Sequence, residues 1–102
     1  MYQLSWFKEA VTEYQKLDGS QKLQIKKGIA RITERGMQAG KPLVKKKYDL
    51  SMCREIKMRR LGLRIVFKQN NQAIQIIDIV CVGKRSDEAV YEQAAKLLGL
   101  LS

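Results

Sequence analysis

The apolar residues of this 102-residue chain change their spacing in mid-chain and return to the first spacing near the end, and these changes limit what each part can become. Through residue 36 they recur every third or fourth position, the period of a helix with one buried face. From Cys53 they recur every second position, the period of a strand, until the helical spacing resumes after Ser86. A chain of this length is one small domain, residues 1–102, with a single core.

The first 36 residues read as a short strand and two helices. Tyr2 and Leu4 alternate with polar neighbours; Ser5 is then the expected N-cap of a helix carrying Phe7, Ala10, Val11, Tyr14 and Leu17. Trp6 and Phe7 are expected to pack with that helix rather than form a stacking platform. Asp18-Gly19 ends it, and Ser20 is the expected cap of a second helix with an Ile25, Ile29, Ile32 stripe and Gly36 as its left-handed C-cap. Gly28 lies inside that helix, where glycine costs about 1 kcal/mol relative to alanine; close helix packing is the compensation to look for. Gly36, Gly40 and Pro42 then open a loop.

In the second half, Ile56 and Met58 point one way while Glu55, Lys57 and Arg59 point the other, as on a half-buried strand. Leu61-Gly62 is the next turn. Leu63, Ile65 and Phe67 continue on one face of a second strand, with Arg64 and Val66 on the other. After the Asn70-Asn71-Gln72 turn, Ala73 to Val82 is a nearly continuous β-branched run, the pattern of a central strand covered on both faces. Ser86 is the expected cap of a last helix, with Asp87 and Glu88 in its first turn and Val90, Ala94, Leu97 and Leu101 as its stripe. Tyr91 projects beside that stripe.

Charge narrows the function. Lys and Arg number 20 against 10 Asp and Glu, a formal charge of +10 that favours polyanionic partners. Residues 1–40 hold seven basic and four acidic residues, residues 41–60 eight and two, and residues 61–102 five and four, so the middle fifth carries most of the excess. The chain has no histidine and only Cys53 and Cys81, which excludes a zinc site and histidine acid/base chemistry built from this chain alone. It shows no secretory signal and no run long enough to span a membrane, so a cytoplasmic location, with free thiols and no membrane partner, is expected. Gly83-Lys84 lacks the upstream glycine of a phosphate loop, and neither a cofactor nor a metal is implied.

Three adjacent strands would bring Lys57, Arg64 and Arg85 together, with Tyr91 returning toward the same sheet end from the last helix. Cations beside one aromatic ring suit a single RNA nucleotide, with phosphate on the cations and a base on the ring. A solvated charged face, with Tyr91 flanking the core, gives the same pattern. Lys45, Lys46 and Lys47 read either as contacts to ribosomal RNA phosphates or as a solvated loop. Arg54, Arg59 and Lys84 are further RNA- or ribosome-binding candidates. Glu88 and Glu92, one turn apart near a helix start, read as charges that complement the helix dipole.

The segment Ile56-Lys57-Met58-Arg59-Arg60-Leu61-Gly62-Leu63-Arg64-Ile65-Val66-Phe67, followed by Val82-Gly83-Lys84-Arg85 and Tyr91, resembles the RelE branch of the RelE/ParE toxin superfamily. The order of elements resembles it over nearly the whole chain. The resemblance implies an α+β RelE-like fold, with an antiparallel sheet, an N-terminal strand and two N-terminal helices packed on one side, and a C-terminal helix. It further implies a type II toxin that cuts messenger RNA in the ribosomal A site and is neutralised by a cognate antitoxin in a hetero-oligomer. Carried over by position, Lys57 matches a catalytic-strand lysine, Arg64 a phosphate-contacting arginine, Arg85 the arginine of the Gly-Lys-Arg motif, and Tyr91 the tyrosine that engages the base.

One position departs from the family pattern. Glu55 stands where the resemblance leads to a second lysine. A carboxylate on the same face favours the charged form of a lysine, so the general base passes into question. Either Glu55 is itself the base, leaving Lys57 to hold phosphate, or it pairs with Arg59. The readings that compete with a ribonuclease are a ParE-like inhibitor of DNA gyrase without enzymatic activity and an inactive RNA-binding relative.

Overall fold

The two periods become two kinds of element in the computed structural model, which describes residues 1–43, 48–84 and 87–100. The chain runs through β1 (Gln3–Trp6), α1 (Lys8–Gln15), α2 (Gly19–Arg35), a tight 3-10 turn (Gly36–Ala39), β2 (Lys41–Pro42), β3 (Cys53–Met58), β4 (Leu63–Gln69), β5 (Ile76–Gly83) and α3 (Asp87–Leu97). The strands form one sheet in the order β1-β5-β4-β3-β2. The α+β class therefore holds, but the sheet is mixed rather than antiparallel. β1 pairs parallel with β5, Gln3 opposite Ile76 through Trp6 opposite Ile79. A parallel pair needs a long crossover, and the whole segment between β1 and β5 supplies it. The expected loop at Lys41-Pro42 is a short edge strand, a place where proline is tolerated because no ladder bond is asked of its nitrogen.

Both N-terminal caps shift from the expected residues. Trp6 remains in β1, and the Phe7 amide donates to the Ile79 carbonyl at 2.9 Å, so α1 begins at Lys8 with Phe7 rather than Ser5 before it. For α2 the cap is Asp18 rather than Ser20. Its carboxylate accepts the Gln21 amide at 2.8 Å while the Gln21 side chain accepts the Asp18 amide at 3.0 Å, a reciprocal capping box. The Gln21 amide, followed by the Ser20 hydroxyl, holds the Asp18 carboxyl below its ordinary value. The C-cap is Gly36 as expected, but with φ 62° and ψ −137° it is not in the left-handed helical conformation, and the Tyr2 ring stands where a side chain would be. Ser86 and Leu101 lie outside the described residues.

Each face of the sheet carries its own core. On one side, Ala10, Ile25 and Ile32 of the first two helices meet Ile56, Ile65, Phe67, Ile77, Ile79 and Val82. A Cβ at Gly28 would lie 2.6 Å from Ile65 Cδ1, so its absence lets α2 approach the sheet. On the other side, Val90, Tyr91, Ala94 and Ala95 of α3 meet Cys53, Val66, Val80 and Cys81. Val80 and Cys81 are consecutive yet share that face, because a bulge inserts Val80 between the partners of Val66 and Phe67. The bulge resets the register so that Gly83 ends opposite Arg64. Among the described residues, no helix is long and apolar enough to cross a membrane.

The crossing from the 3-10 turn into β2 is the tightest point next to β3. A Cβ at Gly40 would stand 2.6 and 2.7 Å from the Phe67 ring and 2.8 Å from the Glu55 carbonyl oxygen, whereas one at Gly19 would meet nothing within 4 Å. Gly40→Ala is therefore expected to lower stability by about 1–3 kcal/mol through overpacking. Gly19→Ala should leave it unchanged or slightly raised. Urea denaturation of the two variants beside the parent checks the contrast.

Candidate active site

Lys57 on β3 and Arg64 on β4 are directly opposed across the antiparallel pair, and Glu55 lies two residues from Lys57 on the same face. The Glu55 carboxylate stands 3.8 Å from the Lys57 ammonium and 3.8 Å from the Arg64 guanidinium. From α3, the Tyr91 hydroxyl donates to Glu55 at 2.9 Å to Oε1 and 3.2 Å to Oε2, and it accepts from Arg64 Nη1 at 3.3 Å. The Arg64 guanidinium carbon lies 5.9 Å from the centre of the Tyr91 ring, a cation–π distance. Four candidates thus meet at one end of the sheet, linked in the order Arg64, Tyr91, Glu55, Lys57.

Their exposures differ in a way that assigns roles. Arg64 is 8% exposed and Tyr91 2%, while the side chain of Lys57 is 31% exposed and that of Glu55 11%. The Tyr91 ring is part of the core under α3 and meets the Arg64 guanidinium, while its hydroxyl reaches Glu55. The expected projection of Tyr91 beside the stripe is corrected accordingly: residues 90, 91, 94 and 95 are all buried, because a helix lying flat on a sheet covers a broad arc of its surface. The ion pairs of Glu55 among the described residues run to Lys57 and Arg64.

The remaining candidates separate by environment. Arg54 Nη1 donates to the Met37 carbonyl at 3.3 Å and the Gly40 carbonyl at 3.4 Å, which ties the 3-10 turn to β3 and occupies the side chain inside the protein. Arg59 is exposed in the turn after β3, and Lys84 is exposed beside Gly62. Arg85, Lys45, Lys46 and Lys47 lie outside the described residues. Cys53 is buried, and burial pushes its thiol up from 9.0 to about 11, the opposite of a reactive nucleophile. Among the described residues, no group of three His, Cys, Asp or Glu side chains could hold a metal ion.

A groove of about 340 Å³ adjoins the cluster. It is lined by Glu55, Ile56, Lys57 and Arg59 with Arg31 of α2 and the segment Ala39–Pro42. Arg31 and Lys41 escaped the sequence reading. Lys41 stands between the loop signals Gly40 and Pro42, and Arg31 has the spacing of any solvated helix face; the pairing of Lys41 opposite Glu55 and the course of α2 along the groove bring them to the site.

The Arg64–Tyr91–Glu55 chain joins β3, β4 and α3, so it contributes to stability as well as to chemistry. Glu55→Gln and Tyr91→Phe are each expected to lower stability by about 1–3 kcal/mol, the range for buried hydrogen bonds to charged groups. The double variant should lose less than the sum by about 1 kcal/mol, which denaturation of all four proteins measures as a coupling energy.

No family model matches the chain. It is 27% identical over 95 residues to the protein of Escherichia coli strain K12 named mRNA interferase toxin RelE, covering 93% of this chain and 95% of that one. It is 30% identical, with the same coverage, to a putative RelE-like toxin protein of Escherichia coli. Among solved structures, it resembles a chain of the intact E. coli RelBE toxin-antitoxin complex with a TM-score of 0.66 at 25% identity, covering 84% of this chain and 99% of that chain.

Proposed function

This chain belongs to the RelE-like toxins, and from that premise we propose that it stops translation by cutting messenger RNA in the ribosomal A site, with Glu55 as proton acceptor. As a RelE-like protein it is the mRNA interferase of a type II toxin–antitoxin system, with a cognate antitoxin as its protein partner. The proposed place of action is the cytoplasm. The observation that carries the reading is the meeting of Glu55, Lys57, Arg64 and Tyr91 within hydrogen-bonding and ion-pairing distance.

The arrangement suits phosphodiester cleavage by the neighbouring 2′-hydroxyl. That oxygen attacks phosphorus in line, its proton passes to the Glu55 carboxylate, and the P–O5′ bond breaks as the O2′–P bond forms. Arriving phosphate brings non-bridging oxygens to Lys57 and Arg64, which stabilise the charge gathering there. Lys57, the more exposed of the two cations, also serves as the proton source for the departing 5′-oxygen. Tyr91 is a positioning residue: its hydroxyl holds Glu55 in place while its ring anchors α3. By resemblance Arg85 joins the cations on the phosphate; Lys45, Lys46, Lys47 and Lys84 supply sequence-independent attachment to ribosomal RNA.

Purified protein added to ribosomes programmed with a defined message is expected to cut within the codon in the A site, mapped by primer extension. Glu55→Gln should slow single-turnover cleavage by about 100-fold or more, the scale of a lost general base. Near-normal cleavage by that variant would remove Glu55 from the catalytic residues. Intact message together with inhibited DNA supercoiling by the parent protein would overturn the ribonuclease reading in favour of a gyrase inhibitor.

A further inference from the structure

We propose that the groove between α2, β2 and β3 is a second phosphate subsite, which holds the RNA phosphate next to the one that is cut. The inference rests on the ribonuclease reading. Four cations line this groove from separate parts of the chain: Arg31 from α2, Lys41 from β2, Lys57 from β3 and Arg59 from the turn that follows. The one carboxylate among them, Glu55, already accepts the Tyr91 hydroxyl. Among the described residues, none of Arg31, Lys41 and Arg59 has an acidic side chain within ion-pair distance, and all three are exposed. Cations held apart from internal carboxylates and converging on one concavity are poised for an external anion.

The groove is continuous with the cluster that performs the chemistry. Glu55 and Lys57 line both, Lys41 is paired opposite Glu55, and Arg64 is paired opposite Lys57. The cations therefore follow a diagonal across β4, β3 and β2: Arg64 opposite Lys57, and Lys41 on the next strand two residues along, opposite Glu55, with strands about 4.8 Å apart. A polynucleotide with one phosphate at Lys57 and Arg64 would carry its neighbouring phosphate along that diagonal. The volume of about 340 Å³ lies at the small end of the range for small-ligand sites, about 300–1,000 Å³, and suits one nucleotide better than a folded protein segment. Arg31 and Arg59 present planar forks that match two phosphate oxygens at once.

The test measures RNA binding and RNA cutting separately. A short 2′-O-methyl oligoribonucleotide, which lacks the attacking hydroxyl, is titrated against the intact protein over a range of salt concentrations. The parent is compared with Arg31→Gln/Lys41→Gln and with the charge-preserving Arg31→Lys/Lys41→Arg, after thermal melts show that all three are folded. The Gln variant should flatten the slope of log affinity against log salt by about 0.7 for each phosphate charge it no longer neutralises, and the charge-preserving variant should restore it. A single methylphosphonate at a linkage flanking the cut should flatten the parent slope likewise and have no further effect in the Gln variant. An unchanged slope, or methylphosphonate and variant effects that simply add, overturns the subsite. Loss of antitoxin binding by the Gln variant with an unchanged slope also overturns it, by assigning the groove to a protein partner. If the slopes behave as expected while the parent cuts no message on programmed ribosomes, the ribonuclease reading fails and the groove stands as an RNA site.

Discussion

Strands β4 and β5 are covered on both faces, so any charged side chain they bury has to be matched inside the protein. Three are buried: Arg64, Lys68 and Asp78. They fall into two polar centres at opposite ends of β4. Lys68 and Asp78 pair at 3.0 Å, with Asn70 donating to the second carboxylate oxygen at 2.9 Å and Lys68 also donating to the Gln69 carbonyl at 3.2 Å. That centre is balanced, one positive charge against one negative. At the other end Arg64 and Lys57 share Glu55, which lies 3.8 Å from each. The same demand for internal partners thus produces a one-to-one pair at one end of the strand and a carboxylate shared by two cations at the other.

This constraint gives a physical account of Glu55, the position that departs from the family pattern. A lysine there would add a third cation beside a guanidinium that is 8% exposed and would remove the carboxylate that lies 3.8 Å from it. Breaking such a match by removing one partner is costly because a buried charge remains. The glutamate supplies an internal counter-ion and, through Tyr91, a link to α3. The consequence is competition: arriving phosphate must replace Glu55 as the partner of Lys57 and Arg64.

Much of this was legible in the residues because the information is local. Period two in β3 and β4 placed Lys57 and Arg64 on one face, the Leu61-Gly62 turn set them opposite each other, and Gly36 marked the end of α2. What was not legible depends on contacts between distant segments. Nothing in Gln3–Trp6 encodes that it will lie parallel to β5, and the apolar stretch Ile79–Val82 conceals the bulge at Val80, since alternation is visible only where one face is polar. Ser5 and Ser20 are good caps by type, but the Phe7–Ile79 ladder bond and the Asp18–Gln21 box begin the helices elsewhere. Tyr91 is the instructive case: its place in the site was readable from order along the chain, while burial of its ring follows from how α3 lies on the sheet.

The charge count was the least literal part of the sequence. Residues 41–60 hold eight cations and two acids, yet those cations are not equivalent once folded. Arg54 is turned inward onto two backbone carbonyls, Lys57 is shared with Glu55, and Lys41 and Arg59 stand exposed along the groove with Arg31, which lies outside the basic segment altogether. Long-range attraction of a polyanion depends on the sum of these charges, because at distance the field does not resolve them. Short-range recognition depends on which of them retain hydration to exchange for phosphate, and that subset follows from strand pairing and helix placement rather than from position along the chain.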